Sequence, residues 1–86
     1  MVVDLAKLCG WRVYFTWGSL HSPAGFPDLV LCRPSRLAFI ELKSDKGKLT
    51  DAQWKWLNDL KACNVEVHVW KPSQWDEIVI TLERQS

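Results

Sequence analysis

Net charge is nearly missing from this chain: 11 Lys and Arg stand against 10 Asp and Glu, which leaves +1. Overall charge therefore does not recruit a polyanion, and any affinity for nucleic acid has to come from local clustering. Long apolar runs are missing too, which excludes a membrane-spanning helix, and no signal-peptide pattern opens the chain. The expectation is a soluble, cytoplasmic protein with no membrane partner. Cysteine is sparse. Cys9, Cys32 and Cys63 are far apart, lack metal-ligand spacing and are odd in number, which argues against a secreted disulfide framework. All three are expected to be buried thiols. Internal repeats and linkers are absent, and 86 residues suffice for a single small domain, 1–86, but not for two.

Tryptophan, by contrast, is plentiful. Six in so short a chain are more than a small core needs, so some can cover an interface. Along the chain, Val2 to Cys9 has the apolar stripe of a short helix (Val2, Leu5, Ala6, Cys9), closed by Gly10. Trp11 to Trp17 is strand-like, and Gly18 to Gly25 is a loop. Two apolar runs, Gly25 to Cys32 and Leu37 to Lys43, flank the turn Arg33-Pro34-Ser35-Arg36 and predict an antiparallel hairpin. Thr50-Asp51-Ala52-Gln53 carries a capping-box signature and opens a helix that turns Gln53, Trp56, Leu57, Leu60 and Cys63 to one face. Val65 to Trp70 alternates as a strand. Pro72-Ser73 begins a last helix, to about Glu83, with Ser73 as its N-cap. The order αβββαβα predicts an α/β fold: an antiparallel meander, then a crossover that lays the last strand parallel to the third, with helices flanking a mixed sheet.

Chemistry concentrates at one end of the hairpin. Side chains alternate along a strand, so Glu41 and Lys43 share a face, opposite Ala38, Ile40 and Leu42. Asp28 begins the partner strand, which lies beside the end of the other. Two carboxylates and one ammonium are thus expected together. Two hard oxygen ligands suit Mg2+ or Mn2+, and an adjacent lysine can hold a water or offset charge on a phosphate. The alternative is plainer: Asp28 caps a turn, and Glu41 and Lys43 form a solvated pair.

The pattern P-D, a gap, then E-x-K resembles the PD-(D/E)xK nuclease superfamily. The longer series Gly25-Phe26-Pro27-Asp28, Phe39-Ile40-Glu41-Leu42-Lys43 and Leu49-Thr50-Asp51-Ala52-Gln53, then a strand, resembles its VRR-NUC (virus-type replication-repair nuclease) branch. That resemblance covers nearly the whole chain. It implies a restriction-endonuclease-like fold and a Mg2+- or Mn2+-dependent DNA endonuclease acting on branched DNA, Holliday junctions among them. It also implies a homodimer. It assigns Asp28 and Glu41 as metal ligands, the Leu42 carbonyl as a third, Lys43 as the catalytic lysine and Gln53 as the glutamine near the site. The alternative for Gln53 is a plain capping box, a role not readily combined with the first. The family's first-helix glutamate has no counterpart here: the acid in that helix, Asp4, projects away from the apolar stripe. A catalytically weakened module that binds DNA or a protein is therefore the rival reading, and a structural dimerisation domain is a third.

Outside that constellation, Lys46 and Lys48 are candidate phosphate contacts, with Asp45 diluting their charge, and Arg33 and Arg36 add positive charge at the far turn. Trp54 can stack on a base or pack against a partner subunit, the latter preferred. His21 and His68 are candidates whose plainer role is a surface histidine.

Overall fold

The structure is a computed structural model and describes residues 1–16 and 23–85. Trp17 and His21 lie outside the described residues. Among the described residues three α-helices and four strands follow in the expected order: α1 (Val2–Leu8), β1 (Arg12–Phe15), β2 (Leu29–Arg33), β3 (Arg36–Leu42), α2 (Asp51–Ala62), β4 (Glu66–Trp70), a 3-10 turn (Pro72–Gln74) and α3 (Trp75–Glu83). The sheet runs β1-β2-β3-β4. β1–β2 and β2–β3 are antiparallel, and β3–β4 is parallel because α2 carries the chain back to the end where β3 began. This mixed sheet flanked by helices is consistent with a restriction-endonuclease-like fold.

The alternation read in the sequence sorts the two faces. Leu29, Leu31, Ala38, Ile40 and Trp70 pack with Ala6 of α1, Trp11, and Ile78 and Leu82 of α3 to form the core. The opposite face carries Phe39 and Glu41 under α2, whose Leu57 is buried. One helix cannot cover four strands. Tyr14 and Leu37, on that same face, stay 67% and 39% exposed.

The expectation of three buried thiols fails, for Cys32 because that face is left uncovered and for Cys63 and Cys9 because they sit at helix ends. Cys32 is exposed beside Leu37, Cys63 is exposed at the end of α2, and Cys9 is half-buried. Ser73 is not the N-cap of the last helix. Pro72, Ser73 and Gln74 wind a 3-10 turn whose entry is closed by the Gln74 side chain, Lys71 N–H donating to Oε1 at 2.9 Å. The Ser73 N–H donates instead to Asp45 Oδ1, at 3.0 Å.

The two turn arginines are turned inward. Arg33 donates to the carbonyls of Cys9 (2.8 Å), Leu82 (3.1 Å) and Arg84. Arg36 donates to Thr81 (2.9 Å) and Arg84 (2.7 Å), and pairs with Glu66 through Nε (2.7 Å) and Nη2 (2.6 Å). Both guanidiniums lie over the Trp11 ring, at 4.6 and 4.7 Å from its centre. They bond the carbonyls at the end of α3, Leu82 sharing its oxygen with the Trp11 indole N–H at 3.0 Å, so their charge is committed to the fold. No helix is long and apolar enough to cross a membrane among the described residues.

Candidate active site

Asp28 is placed by the Gly25-Phe26-Pro27 lead. Gly25 has φ +90°, and a Cβ there would sit 2.5 Å from the Ala52 carbonyl carbon, so only glycine lets this loop lie against the first turn of α2. Phe26 meets Phe39 and Trp56 edge-on, at 6.0 and 4.9 Å between ring centres. The Thr16 N–H donates to the Asp28 carbonyl at 3.0 Å, extending the β1–β2 pairing. Asp28 Oδ2 then accepts the Leu42 N–H at 2.9 Å, which fixes the carboxylate against the end of β3.

Glu41 lies on the α2 face of β3 and is 2% exposed. Its Oε2 accepts from Gln53 Nε2 at 3.1 Å and lies 3.8 Å from Lys43 Nζ. Its Oε1 is buried and has no hydrogen-bond partner among the described residues. Burial, then the negative charge of Asp28, push the Glu41 carboxyl up to about 7 against the opposing pull of Lys43. A buried carboxylate with an orphaned oxygen is thus held beside a half-buried one. A hard divalent cation would relieve both the repulsion and the missing partner, so the donor set fits such an ion. Among the described residues no three His, Cys, Asp or Glu side chains converge, so the ion would rest on these two acids plus a backbone oxygen such as that of Leu42. Asp4 is exposed on α1 and does not join them.

Gln53 makes the capping contacts and also reaches Glu41, two contacts that the sequence set against each other. Its Oε1 accepts the Thr50 N–H at 2.9 Å, its own N–H donates to Thr50 Oγ1 at 3.2 Å, and its Nε2 reaches Glu41. A carboxamide has an acceptor end and a donor end, so a capping box leaves its NH2 free for a second partner.

The parallel register of β3 and β4 adds a lysine that the sequence did not single out. Leu42 pairs with Trp70, and the Lys43 N–H donates to the Trp70 carbonyl at 2.9 Å, so Lys43 and Lys71 leave adjacent strands side by side. Strand order alone does not fix that register; the equal placement of a lysine just after each strand was the available signal. Lys43, Lys48, Lys71, Trp54 and Val69 line one cleft of about 430 Å3. Lys46 is exposed on the same loop. Asp45 does dilute the cluster: the Ser73 N–H holds its carboxylate ionised and, with the charge of Lys71, keeps its pKa low, while its carbonyl accepts from Lys71 Nζ at 3.2 Å. His68 is on the other face. It stacks on Trp70 at 5.1 Å and lies 3.3 Å from Glu66, away from Glu41.

The VRR-NUC domain family matches residues 14–74, which span Asp28, Glu41, Lys43 and Gln53. The Fanconi-associated nuclease 1 homolog of Schizosaccharomyces pombe is 37% identical over a stretch that covers 56% of this chain and 8% of that protein. The chain thus matches only a small part of that relative's length. No solved structure matches the chain.

Proposed function

The chain belongs to the VRR-NUC domain family, and on that ground we propose that it is a divalent-metal-dependent DNA endonuclease acting on branched or otherwise structured DNA. The observation that carries this is the buried Glu41 carboxylate, with its orphaned Oε1, beside half-buried Asp28 and adjacent Lys43. Asp28, Glu41 and the Leu42 carbonyl would hold Mg2+ or Mn2+. The ion supplies Lewis-acid polarisation of a phosphate oxygen and lowers the pKa of an attacking water. Lys43, on the same pleated face, positions that water or offsets charge as it builds on the phosphate. Gln53 steadies Glu41 from α2 and so sets the angle at which its free oxygen faces the site. Lys46 and Lys48 contact the DNA backbone, which makes affinity fall with salt.

The assembly we propose is a homodimer, which would pair two sites on a symmetric junction. Its support is the sheet face that α2 leaves open, with Tyr14 and Leu37 exposed on it. The alternative, a weakened module that binds DNA or protein without cutting, draws on the exposed position of Asp4 and the small acid set. A panel of labelled linear, flap and four-way-junction DNAs, incubated with Mg2+ and with Mn2+, tests the function. Cleavage of the branched members is expected; tight binding with no cleavage of any member favours the alternative.

A further inference from the structure

We propose that the cleft between the start of α2, the 44–49 loop and the end of β4 binds an unpaired nucleotide next to the scissile phosphate, its base stacked on Trp54 and its phosphates on Lys48 and Lys71. This rests on the nuclease reading and adds the chemical class of what enters beside the site.

The cleft lies beside Glu41. Val69, at its floor, is the β4 register partner of Glu41, and Lys43 forms one wall. Trp54 follows Gln53 on α2 and is 54% exposed, a large indole face open to solvent. Its backbone is fixed by the first helical turn, the Trp54 N–H donating to the Thr50 carbonyl at 3.0 Å. The platform is therefore set by the same capped turn that aims Gln53 at Glu41.

The charged side chains that line the cleft are all lysines, with the Asp45 carboxylate near enough to Lys71 to act on it. Among the described residues neither Lys48 nor Lys71 forms an ion pair within 4.0 Å. Lys71 donates to the Asp45 carbonyl, while the Asp45 carboxylate is held by Ser73. Lys71 feels that carboxylate but is not in contact with it, so its ammonium can still take a phosphate. A second copy docked here about a two-fold axis would bring Lys43, Lys48 and Lys71 against their own equivalents, whereas DNA phosphates complement them. A base within a duplex has both faces stacked on its neighbours; an unpaired one has a face to offer the indole.

The test measures binding apart from cleavage, with Ca2+ as the cation. The probes are a blunt duplex and the same duplex with a single-stranded overhang carrying 2-aminopurine, whose emission falls on stacking. The wild type is expected to prefer the overhang and to quench the probe. Trp54→Ala should lose roughly five- to 150-fold in overhang affinity, with its quenching, and little on the blunt duplex. Trp54→Tyr should recover most of both. Lys48→Ala with Lys71→Ala should weaken both DNAs and reduce the log–log salt slope by about 2. Wild-type overhang affinity in Trp54→Ala overturns the proposal. So does a Trp54→Ala protein that loses a dimer by light scattering while its DNA affinity holds, which makes the surface a contact between copies. If the wild type shows the expected binding but cuts no DNA, the nucleotide site stands and the nuclease reading falls.

Discussion

The carboxamide of Gln53 ties the first turn of α2 to the buried carboxylate of Glu41, accepting from Thr50 N–H at one end and donating to Glu41 Oε2 at the other. Helix placement and site geometry are therefore one structural event. Gln53→Ala removes both bonds and should cost stability on the scale of a lost cap, about 1 kcal/mol, as well as slowing cleavage. Gln53→Glu keeps an acceptor for Thr50 but loses the donor toward Glu41 and adds an anion. It should cap α2 yet still cleave slowly. Urea unfolding alongside single-turnover cleavage separates the two; equal cleavage by Gln53→Glu and wild type would remove Gln53 from the site.

Gly25 sets the position of Asp28 from a distance. Gly25→Ala combines a positive φ with a collision against the Ala52 backbone, so the loop must move. A stability loss of about 1–3 kcal/mol is expected, with weaker metal binding because Asp28 shifts. Denaturant midpoints and calorimetric metal titration check this; an unchanged midpoint means that the loop accommodates a Cβ elsewhere.

Glu66 gives the fold an acid sensitivity that is separate from catalysis. Its hydrogen bond with Arg36, helped by His68, holds its pKa below the usual 4.5. A carboxylate with a lowered folded-state pKa stabilises above its unfolded value and loses that contribution as pH falls through the folded one. The gap in stability between wild type and Glu66→Gln should therefore narrow as pH is lowered below about 4.5. Urea titrations from pH 7 to pH 3 read it, and a gap independent of pH would show that Arg36 is held by its carbonyl partners alone.

Lys43 and the carboxylates should fail differently. Lys43→Ala removes a positive charge 3.8 Å from Glu41, so metal affinity should hold or rise. Cleavage should still fall, by roughly 2–4 kcal/mol of transition-state stabilisation. Calorimetry and single-turnover kinetics on one sample decide it. Loss of the metal, or an unchanged rate, contradicts the assigned role.

Much of this arrangement was legible in the chain. Alternation along Leu37 to Lys43 was enough to put Glu41 and Lys43 on one face, and the apolar runs on either side of the Arg33–Arg36 turn were enough to bring Asp28 to the same end. The capping box at Thr50 was readable because it is local. What escaped depends on contacts distant in sequence. The Lys43–Lys71 neighbourhood needs the β3–β4 register. The inward turn of Arg33 and Arg36 needs α3 to end above them. The exposure of Cys32 needs the knowledge that α2 lies over β4 and leaves β1 and β2 open. The double use of Gln53 was missed by treating its side chain as one group when its two ends bond independently.

Nicking of a supercoiled plasmid by the wild type and by Glu41→Gln, each with Mn2+ and with EDTA, bears on the whole account. Glu41→Gln preserves the shape of a buried side chain whose environment already disfavours its charge, so it should fold as well as the wild type by circular dichroism. The wild type should nick with Mn2+ and stop with EDTA, and Glu41→Gln should not nick in either. Nicking by Glu41→Gln at the wild-type rate, or a wild type that binds Mn2+ and DNA yet leaves both the plasmid and a four-way junction intact, would contradict a nuclease centred on Asp28 and Glu41.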